Sequence, residues 1–187
     1  MLRYAQSGYR REDVRAGEAR LPGIGGSPSG VAWDGAEVYR AVVRFQLDWR
    51  VRSIGSTQTP RRFLDYIVDD ESLYERHRYD LISPLGWGVP DEDERASQRL
   101  LGREAPDVEG RVAIYVCPEC GDVHCGALTV IIGREGDEIV WSDPAYSTYD
   151  VLDESWLHRP ARDVETLRFT AAHYQRVIAE RPRPAAT

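Results

Sequence analysis

Lysine and asparagine are both missing from this 187-residue chain, and cysteine occurs only three times. Without Lys, Arg is the sole permanently cationic side chain, 24 residues against 31 Asp and Glu, for a formal charge of −7. Both missing residues use A-rich codons, so their joint absence marks a GC-rich genome and says nothing of mechanism. Three cysteines are too few for a disulfide scaffold. The longest apolar run, Val112 to Cys117, has six residues, and Ala127 to Ile132 is broken by Thr129, against the roughly 20 that a bilayer-spanning helix needs. Also missing are a phosphate-binding P-loop, a G-x-S-x-G nucleophile elbow and an H-E-x-x-H zinc helix, which removes support for those three chemistries. Gly23, Gly25 and Gly26 lack the flanking strand and helix of a dinucleotide fingerprint and read as loop.

What is present is 42% hydrophobic and 10% aromatic residues, with five Trp and ten Tyr, enough for one sizeable core. Residues 1–28, broken by Pro and Gly, read as an irregular N-terminal arm, and residues 29–187 as a single domain. The arm carries a charge of +2 and the domain −9. An acidic body disfavours nucleic acid and anionic membranes and favours a basic protein partner. No apolar segment follows the first basic residues, and the three cysteines fall within nine positions. Reduced thiols in the cytoplasm are therefore the expectation.

Turn and cap signals divide the domain. A hairpin is expected over residues 29–52 around Asp34 and Gly35. Thr59, Pro60, Phe63, Leu64 and Ile67 read as a capped helix, with a second short helix after Asp70. Pro90 and the acids Asp91 to Glu94 open a third helix that Gly102 stops. From Arg111 the pattern becomes three strands in an antiparallel meander, the last two joined by a turn at Gly133 to Asp137, then an irregular acidic stretch. A short strand and a helix through His173 and Tyr174 close the chain. The expected fold is α+β, a single antiparallel sheet covered by helices on one face.

The densest chemical signal is Cys117-Pro118-Glu119-Cys120, followed by Cys125. Two-residue spacing lets two thiolates reach one ion. Taking Val112, Ile114 and Val116 as one apolar face and Leu128, Val130 and Ile132 as another, Cys117 and Cys125 would face each other across a hairpin mouth, with Cys120 between them. A closed zinc site needs a fourth ligand. His158 is the first choice, with His173, Asp122 or water behind it; His124 is adjacent to Cys125 and, in an extended chain, points the other way. Packing of three small thiols, a redox dithiol and an open catalytic zinc served by Glu119, Asp122 or His124 are the competing readings. The first half of the segment resembles a zinc or rubredoxin knuckle. Residues 80 to 145 as a whole resemble a group of small actinobacterial proteins that brings no established activity.

From Glu135 to His158, both included, there are seven acids and no Arg. Trp141, Asp143, Tyr146, Tyr149, Asp150, Asp153, Glu154 and Trp156 are the candidate partner contacts, rings as anchors and carboxylates for steering. In composition this stretch is similar to the surfaces that immunity proteins present to basic nuclease toxins. The expectation is a non-enzymatic interaction module with a zinc-binding knuckle; the alternative is a thiol- or metal-dependent oxidoreductase or hydrolase using Cys117, Cys120 and Cys125.

Overall fold

The computed structural model describes residues 43–52, 59–77 and 79–183. The chain divides into two units, Met1–Tyr39 and Arg40–Thr187, and every described residue belongs to the second. The expected arm over 1–28 and the turn at Asp34 and Gly35 lie outside the described residues.

The class is α+β, but the β-structure forms two antiparallel sheets rather than one. The first contains β1 (Phe45–Val51), β2 (Arg62–Val68) and the short β3 (Glu71–Ser72). The helix expected over Thr59 to Ile67 is therefore a strand. Its residues Phe63 to Val68 are all buried, and a strand buried on both faces shows a continuous apolar run that mimics helical spacing. One face, with Leu64 and Tyr66, joins the main core; on the other, Phe63 packs against Tyr74 at 5.0 Å. Between β2 and β3, Asp69 and Asp70 both take positive φ, 50° and 67°. That is the requirement of a tight I′ hairpin, met here by residues that tolerate it. The Ser72 hydroxyl then accepts from the Glu75 N–H and starts α1 (Leu73–Arg76).

The second sheet has β4 (Val112–Val116), β5 (Ala127–Glu135), β6 (Glu138–Asp150), β7 (Ser155–Pro160) and β8 (Leu167–Thr170). The expected meander is present, and β6 is its spine. One edge of β6 pairs with β5; the other pairs first with β8, through Glu138 to Trp141, and then with β7, through Ala145 to Asp150. The stretch read as irregular is thus a long hairpin, β6 into β7, whose tip is Val151 to Glu154. Two helices, α2 (Pro90–Leu100) and α3 (Ala171–Ala179), complete the described fold. As expected, α2 starts on Pro90 with acids in its first turn, which complement the helix dipole.

The core is aromatic. Trp141 meets Tyr66 at 5.2 Å, Phe169 at 5.2 Å and Phe45 at 5.9 Å, mostly edge to face. Its indole N–H donates to the Tyr174 hydroxyl, which donates to the Leu100 carbonyl. One chain of bonds thereby ties β6, α3 and α2 without leaving a buried donor unpaired. Among the described residues, no helix is long and apolar enough to cross a membrane.

Candidate metal centre and the adjoining hairpin

The chain leaves β4 at Val116, and Cys117 follows at once. The turn closes when the Gly121 N–H donates to the Cys117 carbonyl at 2.8 Å. Gly121 has φ +71°, and a Cβ there would sit 2.3 Å from the Trp87 ring, so this close approach requires glycine. Asp122 then caps a 3₁₀ turn, Val123–Cys125, by accepting from the His124 N–H. The knuckle is also fastened to the first sheet. Arg61 donates to the Pro118 carbonyl at 2.9 Å and lies over the Trp87 ring. Glu119 accepts from Arg52 at 2.6 Å and from the Thr59 hydroxyl at 2.9 Å. Arg52 is itself buried and also paired with Asp80. These bonds hold the Glu119 carboxyl below its usual range, so it serves as an anchor rather than a proton carrier.

The sulfurs of Cys117, Cys120 and Cys125 lie within 4.8 Å of one another, close enough to hold a metal ion, and Cys120 and Cys125 are 3.3 Å apart. Zn–S bonds of about 2.3 Å in a tetrahedron put sulfurs ~3.8 Å apart, so the observed spacing needs only small adjustments. The Asp122 backbone N–H, with the neighbouring thiols, lowers the Cys120 pKa, whereas its Cys120 neighbour pushes Cys125 up to about 11. The contrast reflects the hydrogen bond between the two thiols, in which Cys125 keeps its proton; a bound cation would favour the thiolate form of each.

The convergence arises differently from the expected register. A bulge between Ala113 and Tyr115 turns Tyr115 into the main core, while Val116 joins Ala113 and Ala127 on the opposite face, under Val123. The simple alternation through Ile114 and Val116 therefore fails at that bulge. His158 does not join the sulfurs. Its Nδ1 bonds the Ser147 hydroxyl at 2.8 Å and its Nε2 faces Glu109 at 3.2 Å. His173 bonds the Phe45 carbonyl, and the Asp122 carboxylate is taken up by His124. Among the described residues, the converging set is three thiols.

Ser147, His158 and Glu109 have the order of a hydrolytic relay, but the Ser147 hydroxyl is buried and shared with Thr129 at 2.7 Å. Thr129 in turn accepts from buried Arg111, which pairs with Asp143 at 2.7 Å. The network cross-links β5, β6 and β7.

His124 is outside the converging set, and it lies in a 3₁₀ turn rather than the extended chain expected. Its ring packs on Tyr149 at 5.1 Å and Trp156 at 5.0 Å, and those two meet at 5.3 Å. The knuckle and the acidic aromatic segment, separate in the sequence reading, are one assembly.

The eight candidate partner residues divide. Trp141 is 1% exposed and belongs to the core; Asp143 is paired with Arg111; Tyr146 donates to Asp163 and packs at a tilt on Tyr79. Of these three only Trp141 is buried; Tyr146 is half-buried and Asp143 stays exposed while bonded. The hairpin end retains half-buried Tyr149 and Trp156, exposed Asp153 and Glu154, and Asp150, whose carboxylate accepts from the Leu152 and Asp153 N–H groups to shape the tip. Sequence reasoning missed Val151 and Leu152, 75% and 90% exposed at that tip. An apolar pair inside an acidic turn was the available signal. Two clefts flank the cysteines: one of about 360 Å³ lined by Trp87, Arg99, Cys120 and Asp122, another of about 290 Å³ lined by Tyr79, Cys125 and Arg159.

Comparison with protein-family models, with curated proteins and with solved structures finds no match.

Proposed function

We propose that the protein is a non-enzymatic interaction module in which zinc on Cys117, Cys120 and Cys125 orders the knuckle and the β6–β7 hairpin docks a basic protein. The observation that carries this reading is the His124 bridge, which packs the residue beside Cys125 against Tyr149 and Trp156. Water or an external group supplies the fourth zinc ligand, since structural zinc favours four. Val151 and Leu152 offer exposed apolar anchors between Asp150 and Asp153, and solvent-exposed carboxylates steer a cationic partner toward them. A cytoplasmic location, where thiols stay reduced, belongs to the same reading.

The test has two arms. Zinc titration against a chromophoric chelator is expected to show one ion per chain, lost in Cys120→Ser, with a change in tryptophan fluorescence from Trp156. A synthetic Arg- and Leu-rich peptide, followed by ¹H–¹⁵N NMR, is expected to perturb Tyr149 to Trp156. Leu152→Asp separates docking from plain charge attraction: added negative charge tightens a purely electrostatic contact, whereas loss of the apolar anchor weakens docking at least fivefold. Tighter peptide binding by that variant refutes the docking surface, and absence of zinc uptake refutes the zinc knuckle.

A further inference from the structure

We infer that Cys120 and Cys125 form a modification site, a dithiol that hydroperoxides oxidise to an intramolecular disulfide. Their sulfurs are 3.3 Å apart, against about 2.05 Å in a disulfide, so bonding requires an approach of little more than 1 Å. Both side chains are exposed, whereas Cys117 is half-buried. Each borders a different cleft, one beside Trp87 and Asp122 and the other beside Tyr79 and Arg159, so a small oxidant reaches the pair from two sides. The intervening turn contains Gly121 at φ +71°, and Gly126 at φ +132° follows it. Gly121 is held against Trp87, but the space around Gly126 is open, so backbone adjustment is available at the Cys125 end of the loop that the bond would close.

The reaction balances with a hydroperoxide as the only co-reactant. One sulfur of the pair attacks the terminal peroxide oxygen, the O–O bond breaks, and the departing alkoxide or hydroxide takes the thiol proton. The resulting sulfenic acid is then attacked by the second sulfur; the S–O bond breaks and water leaves with the second thiol proton. Two thiols and one hydroperoxide give one disulfide, one alcohol or water, and one further water.

The pair supplies two of the three sulfurs proposed to hold zinc, so oxidation also discharges the ion. That consequence rests on the zinc reading; the disulfide does not. His124 lies inside the oxidised loop and touches Trp156, which makes the change visible from the hairpin.

The experiment treats the reduced, metal-free full chain with one equivalent of hydrogen peroxide and follows intact mass. A loss of about 2 Da, reversed by dithiothreitol, is expected for the parent and for Cys117→Ser. Cys120→Ser and Cys125→Ser are expected to react at least tenfold more slowly. Circular dichroism checks the fold of each variant, and Cys117→Ser retains both proposed sulfurs. The inference is overturned if Cys117→Ser blocks the mass loss or if the other two variants oxidise at the parent rate. In the zinc-loaded chain, release of the ion is expected to track disulfide formation. If the reduced chain takes up no zinc, the metal reading fails while the mass measurement still decides the dithiol.

Discussion

Replacing Gly121 with Ala puts the knuckle's backbone requirement to a quantitative test. Two separate costs arise. At φ +71° a Cβ crowds its own backbone, worth about 1–2 kcal/mol for a left-handed alanine. The same Cβ would stand 2.3 and 2.4 Å from two carbons of the Trp87 ring, and forcing that ring aside costs about 1–3 kcal/mol as overpacking. Trp87 cannot yield freely, because Arg61 lies over it while bonded to the Pro118 carbonyl. The expected loss is therefore about 2–5 kcal/mol in urea unfolding, together with weaker zinc uptake. The double variant Gly121→Ala with Trp87→Leu separates the terms: removing the ring relieves the steric part and leaves the backbone part. Relative to Trp87→Leu alone, the added alanine should then cost only about 1–2 kcal/mol. A single Gly121→Ala variant within about 0.5 kcal/mol of the parent would refute the account of this turn.

Burial pushes the His77 imidazole down to about 4, so the unfolded chain takes up a proton near pH 6.5 that the folded chain refuses until about pH 4. Stability is then expected to fall with pH across that window by ~3 kcal/mol, a slope that His77→Phe should remove in denaturation measured from pH 7 to 4. Buried Asp65 and Asp107 are raised by desolvation and act with the opposite sign, so the difference between parent and variant isolates His77; equal slopes would defeat the assignment. Arg181 and Asp93 form a buried pair at 2.7 Å, and Asp93 also accepts from the Gly86 N–H. Arg181→Met strands the carboxylate and should cost about 3–5 kcal/mol, recovered in part by adding Asp93→Asn; an unfolding midpoint unchanged in the single variant would contradict this.

Legibility in the sequence followed the range of the forces involved. Pro90 with its acids announced α2, the turn at Gly136 was contained within the expected turn segment, and short apolar, β-branched runs announced β4 and β5. Each signal is local. The strand β2 was illegible because burial on both faces is a property of its neighbours, α1 and the aromatic core, and that burial produced a run resembling a helix. Likewise Trp141 looked like a surface contact in a row of acids, yet it is held among Tyr66, Phe45 and Phe169.

The Cys117-x-x-Cys120 spacing with Cys125 determined by itself that a thiol cluster was available, because ligand spacing within one turn is set by a few backbone dihedrals. Composition likewise determined the acidic balance of the chain, a formal charge of −7. Only the tertiary structure decided that His158 stays with Ser147 and Glu109, that Glu119 is neutralised by Arg52, and that His124 joins the knuckle to the hairpin. Those outcomes depend on the β4 bulge, the split pairing along β6 and contacts between residues distant in the chain. Side-chain chemistry is written residue by residue, whereas which groups meet is set by packing that no local pattern contains.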